Sequence, residues 1–482
     1  MEVSRKLSAI QPVVIFRAGI IFYILFSILT IHLPFYGDHV SLISAPANYF
    51  FDTGFQSLIL PTELDTGHPP FYAVIHAGLW KLFGRNLMVS HLIGLIAILF
   101  LFYQFHLFCK KQLTDGQRKI AIILFLLQPT ILAQTSLMSA DIFVCGLYFS
   151  GLNALLTKKT NYLIFAIAVL LLISVRGIIV TGFLLIAVFY FIEDWRSHLK
   201  KYFFIFLTGA IPAILWHWFH FAETGWVISN PQSPWAKGRE FIGWTNFPVA
   251  VFEYFFRYIE FGMIVPWLVI LFCLKKFLRD PNSKKLCLLI ISGFIFFSLF
   301  MIFFKNPVMV RYILPVQIMV IVLFAKSVSA FFSSNYKIFL LSICSILFIA
   351  QHFIAYPQTK SSIFEYSWGE GSLAHLSYFK FRKEGSEFLA SHHISSDQVY
   401  TGFPEYKSFK NTDLDQANAN GYHPFTESAM QTYPFVIYSN IMNGISKTAE
   451  MELKEHWIRL ETYYEYPVEY IIFQNPSAIK NH

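Results

Sequence analysis

The chain has 482 residues, of which 55% are hydrophobic, 18% aromatic and only 14% charged, with a mean hydropathy of +0.52. Soluble chains carry about 25% charged and 45–50% apolar residues, so this chain has too little polar surface to cover several water-soluble cores. Its formal charge of +8 accompanies recurrent apolar runs of about 20 residues and no basic stripe, which excludes a nucleic-acid binder. Disorder and a disulfide scaffold are excluded by the same composition. A polytopic membrane protein remains.

The charge is unevenly spread. Residues 1–355 hold 27 Lys/Arg and 14 Asp/Glu, net +13, whereas residues 356–482 hold 10 and 15, net −5, without an apolar run long enough to span. The expected organisation is a basic membrane domain, 1–355, followed by an acidic water-facing domain, 356–482. The five cysteines, Cys109, Cys145, Cys273, Cys287 and Cys344, lie in or beside apolar runs and offer no CxxC metal site.

In chain order, apolar runs predict spans near 13–33, 87–108, 120–138, 142–157, 161–174, 177–192, 202–221, 261–274, 286–304, 308–325 and 338–355. The first run lacks a small-x-small cleavage site and reads as a retained anchor. Six of the connecting segments carry 18 basic residues, while the alternating ones carry seven: Lys81, Arg85, Arg176, Lys237, Arg239, Arg257 and Lys305. The positive-inside rule makes the richer set cytoplasmic. That assignment requires residues 69–83 to lie at the interface rather than cross. The expected result is about 11 transmembrane helices, the N-terminus inside and the C-terminal domain outside. A first large outer loop then covers 34–86, with interfacial helices, and a second covers 222–260. The aromatic residues of 216–258 fit an interfacial belt better than a sugar platform.

This topology collects chemistry on one face. The first loop carries Asp38 and His39 in FYGDH and His68 in DTGHPPFY; the third span delivers Asp141 in SLMSAD. The fifth run delivers Arg176 in SVRG, and the ninth delivers Lys305 and Arg311 in KNPVMVRYILP, with Arg311 expected about one turn into the tenth span. Each residue has an ordinary reading as well. Asp141 suits an N-cap, the arginines suit snorkelling toward headgroups, and His68 suits a turn before two prolines. Together they suit a displacement in which a carboxylate takes a proton from an acceptor and arginines neutralise a departing phosphate. At a membrane surface that phosphate belongs to a lipid.

These pieces, YGDH (Tyr36 to His39), DTGHPPFY (Asp65 to Tyr72), Asp141 after the third span and RYILP (Arg311 to Pro315), resemble those of the GT-C glycosyltransferases that use polyprenyl-phosphate sugars, near protein O-mannosyltransferases and lipid A aminoarabinose transferases. The resemblance covers the membrane domain best, and a C-terminal α/β domain with strands at 433–438 and 468–473 and a helix around 447–459 is compatible with it. It implies an α-helical polytopic membrane protein with a small extracytoplasmic α/β domain. Asp38 would be the base of an inverting displacement, with Asp141 as the second catalytic acid. His68, Arg176, Lys305 and Arg311 would approach the donor phosphate. His39 stands where many relatives have a second acid, which puts in doubt any role needing both carboxylates. Some relatives bind a divalent cation and others do not, so a metal stays open, with Asp38, His39, His68 and Asp141 as candidate ligands.

The implied partners are a polyprenyl-phosphate-linked sugar, an extracytoplasmic protein, lipid or glycan acceptor, and membrane lipids. A transporter or flippase for a lipid-linked sugar, and a polysaccharide polymerase or ligase using lipid diphosphate, are alternatives. The absence of an N-x-Ser/Thr sequon favours a bacterial inner (plasma) membrane. Neither the sugar nor the acceptor is encoded in a readable motif.

Overall fold

The computed structural model describes residues 11–477 except 231, 234, 307, 355–366, 417–419 and 442–443. The expected domain division at 355/356 lies outside the described residues. The chain is a multi-pass membrane protein: among the described residues six helices are long and apolar enough to cross a membrane, or eight if each of two bent pairs counts as one span.

Helix α1 (Pro12–Leu29) precedes a loop that contains a π-turn, Val40–Ser44, and two shorter helices, α2 (Ala45–Thr53) and α3 (Phe71–Phe83). Thirteen residues rise about 20 Å, short of the roughly 30 Å apolar thickness of a bilayer, so α3 does not cross alone. Helix α4 (Leu87–Gln112) is followed by α5 (Asp115–Leu127) and α6 (Pro129–Ser136). The expected uninterrupted span over 120–138 is therefore corrected: the chain bends by 51° between α5 and α6. Pro129 has no N–H for the α5 ladder, and the Gln128 side chain accepts the Ile131 N–H at 2.6 Å to start α6 afresh.

Helices α7 (Ala140–Leu156), α8 (Thr160–Ile173) and α9 (Arg176–Phe191) match expected spans in position but have 17, 14 and 16 residues, at or below the short end of a crossing. After α10 (Leu199–Thr224), α11 (Phe247–Ile259) meets α12 (Ile264–Arg279) at 92°. Helix α11 thus occupies part of the expected second outer loop, with Val249, Phe252 and Phe255 exposed and Tyr254 and Tyr258 buried. Helices α13 (Pro281–Met301), α14 (Leu314–Phe331) and α15 (Ser334–Ala350) complete the bundle. The span containing α14 is 83% buried, against 22% for α1 and 11% for that containing α15. Helix α14 is the central post of the bundle. Arg311 is not inside it: a 3-10 turn, Val310–Ile313, carries that residue just ahead of Leu314.

The C-terminal part begins with the turn α16 (Ser367–Gly371) and α17 (His375–Ser391). It continues through β1 (Val399–Thr401), α18 (Phe409–Thr412), β2 (His423–Pro424), β3 (Phe435–Ser439), α19 (Lys447–His456), β4 (Ile458–Glu465) and β5 (Val468–Gln474). The sheet order is β2-β1-β3-β5-β4, parallel across the first three strands and antiparallel across the last three. The expected helix around 447–459 ends earlier, because the chain extends at Trp457 and enters β4.

This domain is bolted to the first loop and to α6. Phe35 N–H donates to the Thr412 carbonyl at 2.9 Å, Ser44 Oγ donates to the Asn411 carbonyl at 2.5 Å, and Lys410 pairs with Asp52 at 2.7 Å. Tyr36 packs in one apolar cluster with Tyr378, Phe379, Ile437 and Tyr470. On α6, Gln134 Nε2 donates to the Glu370 carbonyl at 2.7 Å, and Ser136 Oγ lies 2.8 Å from His375 Nε2. His375 Nδ1 faces the Ser372 carbonyl at 2.9 Å, which leaves Nε2 to accept from Ser136.

Two tests follow from this packing. A Cβ on Gly177 would fall on the Leu170 carbonyl, so Gly177→Ala should cost about 1–3 kcal/mol through displacement of the α8–α9 junction, read as a lowered unfolding midpoint in detergent. Burial holds the His375 imidazole at about 4, below its ordinary 6.5, while its carbonyl contacts work the other way. The unfolded chain therefore takes up a proton that the folded chain refuses. Stability from this group is complete above pH 6.5 and is lost toward pH 4 at about 1.4 kcal/mol per pH unit. His375→Gln should flatten that fall, and an equally steep fall in the variant would assign it to other groups.

Candidate active site around a buried arginine

Arg311 is almost fully buried and is surrounded by three carboxylates from distant parts of the chain. Its Nη2 donates to Asp38 Oδ2 at 2.7 Å, its Nε lies 3.2 Å from Asp141 Oδ2, and its Nη1 pairs with Glu370. Asp141 is shared: its Oδ1 lies 3.2 Å from Arg176 Nη1. Arg176 also stacks on Tyr312, its guanidinium carbon 4.1 Å from the ring centroid. The N-cap of α7 is Ser139, whose Oγ accepts the Asp141 N–H at 3.1 Å. That leaves the Asp141 carboxylate for the two arginines.

Beside this cluster is a pocket open to solvent, with His39, Thr66, His68, Tyr72, Asp141, Ser174, Arg176 and Arg311 among its walls. His68 Nδ1 accepts the Val175 N–H at 3.2 Å and lies 3.0 Å from Ser174 Oγ, so Nε2 carries the ring proton. Burial, then Arg176 and Arg239, lower the pKa of His68 and keep it neutral. His39 has the opposite tautomer: Nδ1 faces the Tyr36 carbonyl at 3.0 Å, and Nε2 is the acceptor. Its pKa is also lowered, by burial and then by Arg311. The cavity wall thus has two cations, the Asp141 carboxylate between them, one neutral N–H donor and one neutral ring acceptor.

The supports of this arrangement are themselves polar. Asp65 Oδ1 accepts the Gly67 N–H at 2.8 Å, and its Oδ2 lies 2.8 Å from His220 Nε2. Arg239 donates to the Thr66 carbonyl. Together these hold the turn that presents His68. On the opposite side Arg257 donates to the Val308 carbonyl at 2.6 Å and pairs with Glu260 at 2.9 Å, and Gln317 donates to the Arg257 carbonyl. This second brace holds the strand of chain leading to Arg311.

Of the sequence candidates, Asp38, His39, His68, Asp141, Arg176 and Arg311 are brought together. Asp38 does not line the cavity; it lies on the far nitrogen of Arg311, partly exposed, with Lys407 of the C-terminal domain in electrostatic reach. Lys305 is not brought to the cavity: it pairs with Glu240 at 2.5 Å on an exposed loop. Among the described residues no three His, Cys, Asp or Glu side chains form a metal-holding group. The four metal candidates are thus not gathered as a ligand set, and both acids among them already face arginines. Sequence reading missed Glu370, Ser174, Tyr312 and Lys407. A signal existed for Tyr312, the neighbour of Arg311, and for Ser174 in SVRG, but none for Glu370 or Lys407 in a separate acidic domain.

No protein-family model and no curated protein matches the chain. Among solved structures, ArnT from Cupriavidus metallidurans bound to undecaprenyl phosphate superposes with a TM-score of 0.55 at 12% identity, covering 97% of this chain and 98% of that one. The apo state of ArnT superposes with a TM-score of 0.54 at 11% identity and the same coverage. The likeness spans membrane and C-terminal domains alike. The fold implied by the sequence resemblance is therefore the fold observed: over 97% of its length the chain has an ArnT-like fold.

Proposed function

We propose that the chain is an integral membrane glycosyltransferase that moves a sugar from a polyprenyl-phosphate donor to an extracytoplasmic acceptor. The observation that carries this reading is the convergence of Arg176 and Arg311 with the neutral donor His68 on one cavity. Its setting supports it: the fold is shared with a protein captured with undecaprenyl phosphate. The distribution of basic residues among the loops supports a cytoplasmic N-terminus and an outer C-terminal domain.

In the reaction, the acceptor's nucleophilic atom forms a bond to the anomeric carbon while the bond from that carbon to the phosphate oxygen breaks. The electron pair leaves with the lipid phosphate, and the acceptor proton passes to Asp38. Attack opposite the leaving group inverts the anomeric centre. Arg176 and Arg311 supply charge-assisted donors to the departing phosphate, and His68 Nε2–H adds a neutral one. Arg311 also links the two ends chemically. As its charge is taken up by phosphate, Asp38 loses part of its counter-ion and becomes a better proton acceptor. Asp141 holds the two arginines side by side.

Asp38→Asn should lower transfer by about 10²–10⁴-fold while the protein stays inserted and abundant; near-normal turnover would remove Asp38 as the base. Arg176→Gln leaves the buried Arg311 cluster in place and should lower kcat/KM for the lipid donor by about 10²-fold or more. Unchanged kinetics would remove Arg176 from the phosphate. Both assays use purified protein in detergent with a polyprenyl-phosphate sugar. A carrier that only moves lipid-linked sugar gives no release or transfer there, and a polymerase or ligase leaves a lipid diphosphate that mass spectrometry separates from the monophosphate.

A further inference from the structure

Glu370 stands apart from the other two carboxylates on Arg311. Asp141 is shared with Arg176, and Asp38 is partly exposed. Glu370 is 1% exposed, and among the described residues its carboxylate has Arg311 as its one ionic partner. It comes from the C-terminal domain, on a turn whose backbone is tied to the membrane half. Gln134 donates to the Glu370 carbonyl at 2.7 Å, and Thr130 Oγ1 reaches the Gly371 carbonyl at 3.5 Å. His375 reinforces the turn through the Gly369 and Ser372 carbonyls.

The charge balance is unusual for a site that has to receive an anion. Arg176, Arg311 and Lys407 face Asp38, Asp141 and Glu370, so Arg311 is already fully met by carboxylates before any phosphate arrives. Asp38 and Asp141 already meet two of its nitrogens. Glu370 adds repulsion against the ligand, and burying it is costly unless it is paired.

We propose that Glu370 is a positioning residue that acts through Arg311: it competes with the lipid phosphate for the guanidinium and so keeps Arg311 from trapping the phosphate product. This rests on the glycosyl-transfer reading above. The product, a lipid monophosphate, carries more negative charge than the donor diester, so an uncompensated Arg311 would hold the product more tightly than the substrate. Glu370 returns to Arg311 as the phosphate leaves. The C-terminal domain thereby sets turnover, and its anchored backbone allows the side chain alone to exchange.

The test is the affinity of a short-chain polyprenyl monophosphate for the full-length protein in detergent micelles, together with steady-state transfer. Glu370→Gln keeps the shape and removes the charge. It should bind the probe about tenfold more tightly, lower both kcat and donor KM, and strengthen inhibition by the product, while Glu370→Asp should restore wild-type behaviour. A merely structural role would lower kcat without tightening binding, and that result, or unchanged affinity, overturns the proposal. If Glu370→Gln does not accumulate folded, Gln134→Leu frees the turn and should shift affinity the same way by a smaller factor; unchanged or weaker binding there also overturns it. Wild-type protein that neither binds the probe nor transfers sugar overturns the functional reading itself, and this inference with it.

Discussion

A guanidinium buried between the helical bundle and the C-terminal domain organises this molecule. Removing Arg311 from water is costly unless its charge is met by partners of good geometry. Those partners are drawn from the first loop, the start of α7 and the C-terminal domain: Asp38, Asp141 and Glu370. The same electrostatic requirement therefore closes the fold around the site. Each of the three segments has its own anchor, and the anchors are mostly backbone hydrogen bonds. Asp141 follows the Ser139 cap, Asp38 lies in a loop clamped by α18, and Glu370 lies on a turn held by Gln134.

The neighbouring cavity sets a few fixed polar groups among apolar walls such as Leu42, Ile43, Leu60 and Ile173. The histidines at its wall are neutral, because burial and the arginines oppose their protonation. Their tautomers are set by backbone groups, Val175 N–H for His68 and the Tyr36 carbonyl for His39. Two fixed guanidiniums, partly met by Asp141, and fixed neutral dipoles make up the polar part of that wall. Asp38 lies on the other side of Arg311, toward Lys407 of the C-terminal domain.

Much of the membrane half was legible. Apolar runs located the helices, because a bilayer leaves a backbone few options besides a helix, and α3 was recognisable as too short and too polar to cross. The bends were less legible. Pro129 was visible, but whether a proline kinks or ends a helix depends on what satisfies the freed groups, here Gln128. Arg311 falls at the start of its span as expected, but in a 3-10 turn, because the α-helix proper begins with Leu314 and Pro315, a residue suited to a first helical turn. Lys305 shared a segment with Arg311 in the sequence yet faces Glu240 on a loop, since side chains six residues apart in an irregular stretch need not share a direction.

Composition by itself determined that this is a polytopic membrane protein, and charge led to the expectation of a basic helical domain, an acidic globular one, and Asp38, His68, Asp141, Arg176 and Arg311 on one face. Those properties follow from solvent: lipid, water and the membrane's charge asymmetry act on local stretches of chain. Only the tertiary structure decided that Glu370 meets Arg311, that Tyr36 belongs to the core of the C-terminal domain, and that the site is built between two halves. Pairings of that kind depend on which segments the packing brings within a few ångströms, and Coulomb interactions at that range leave no periodic or compositional trace in the chain.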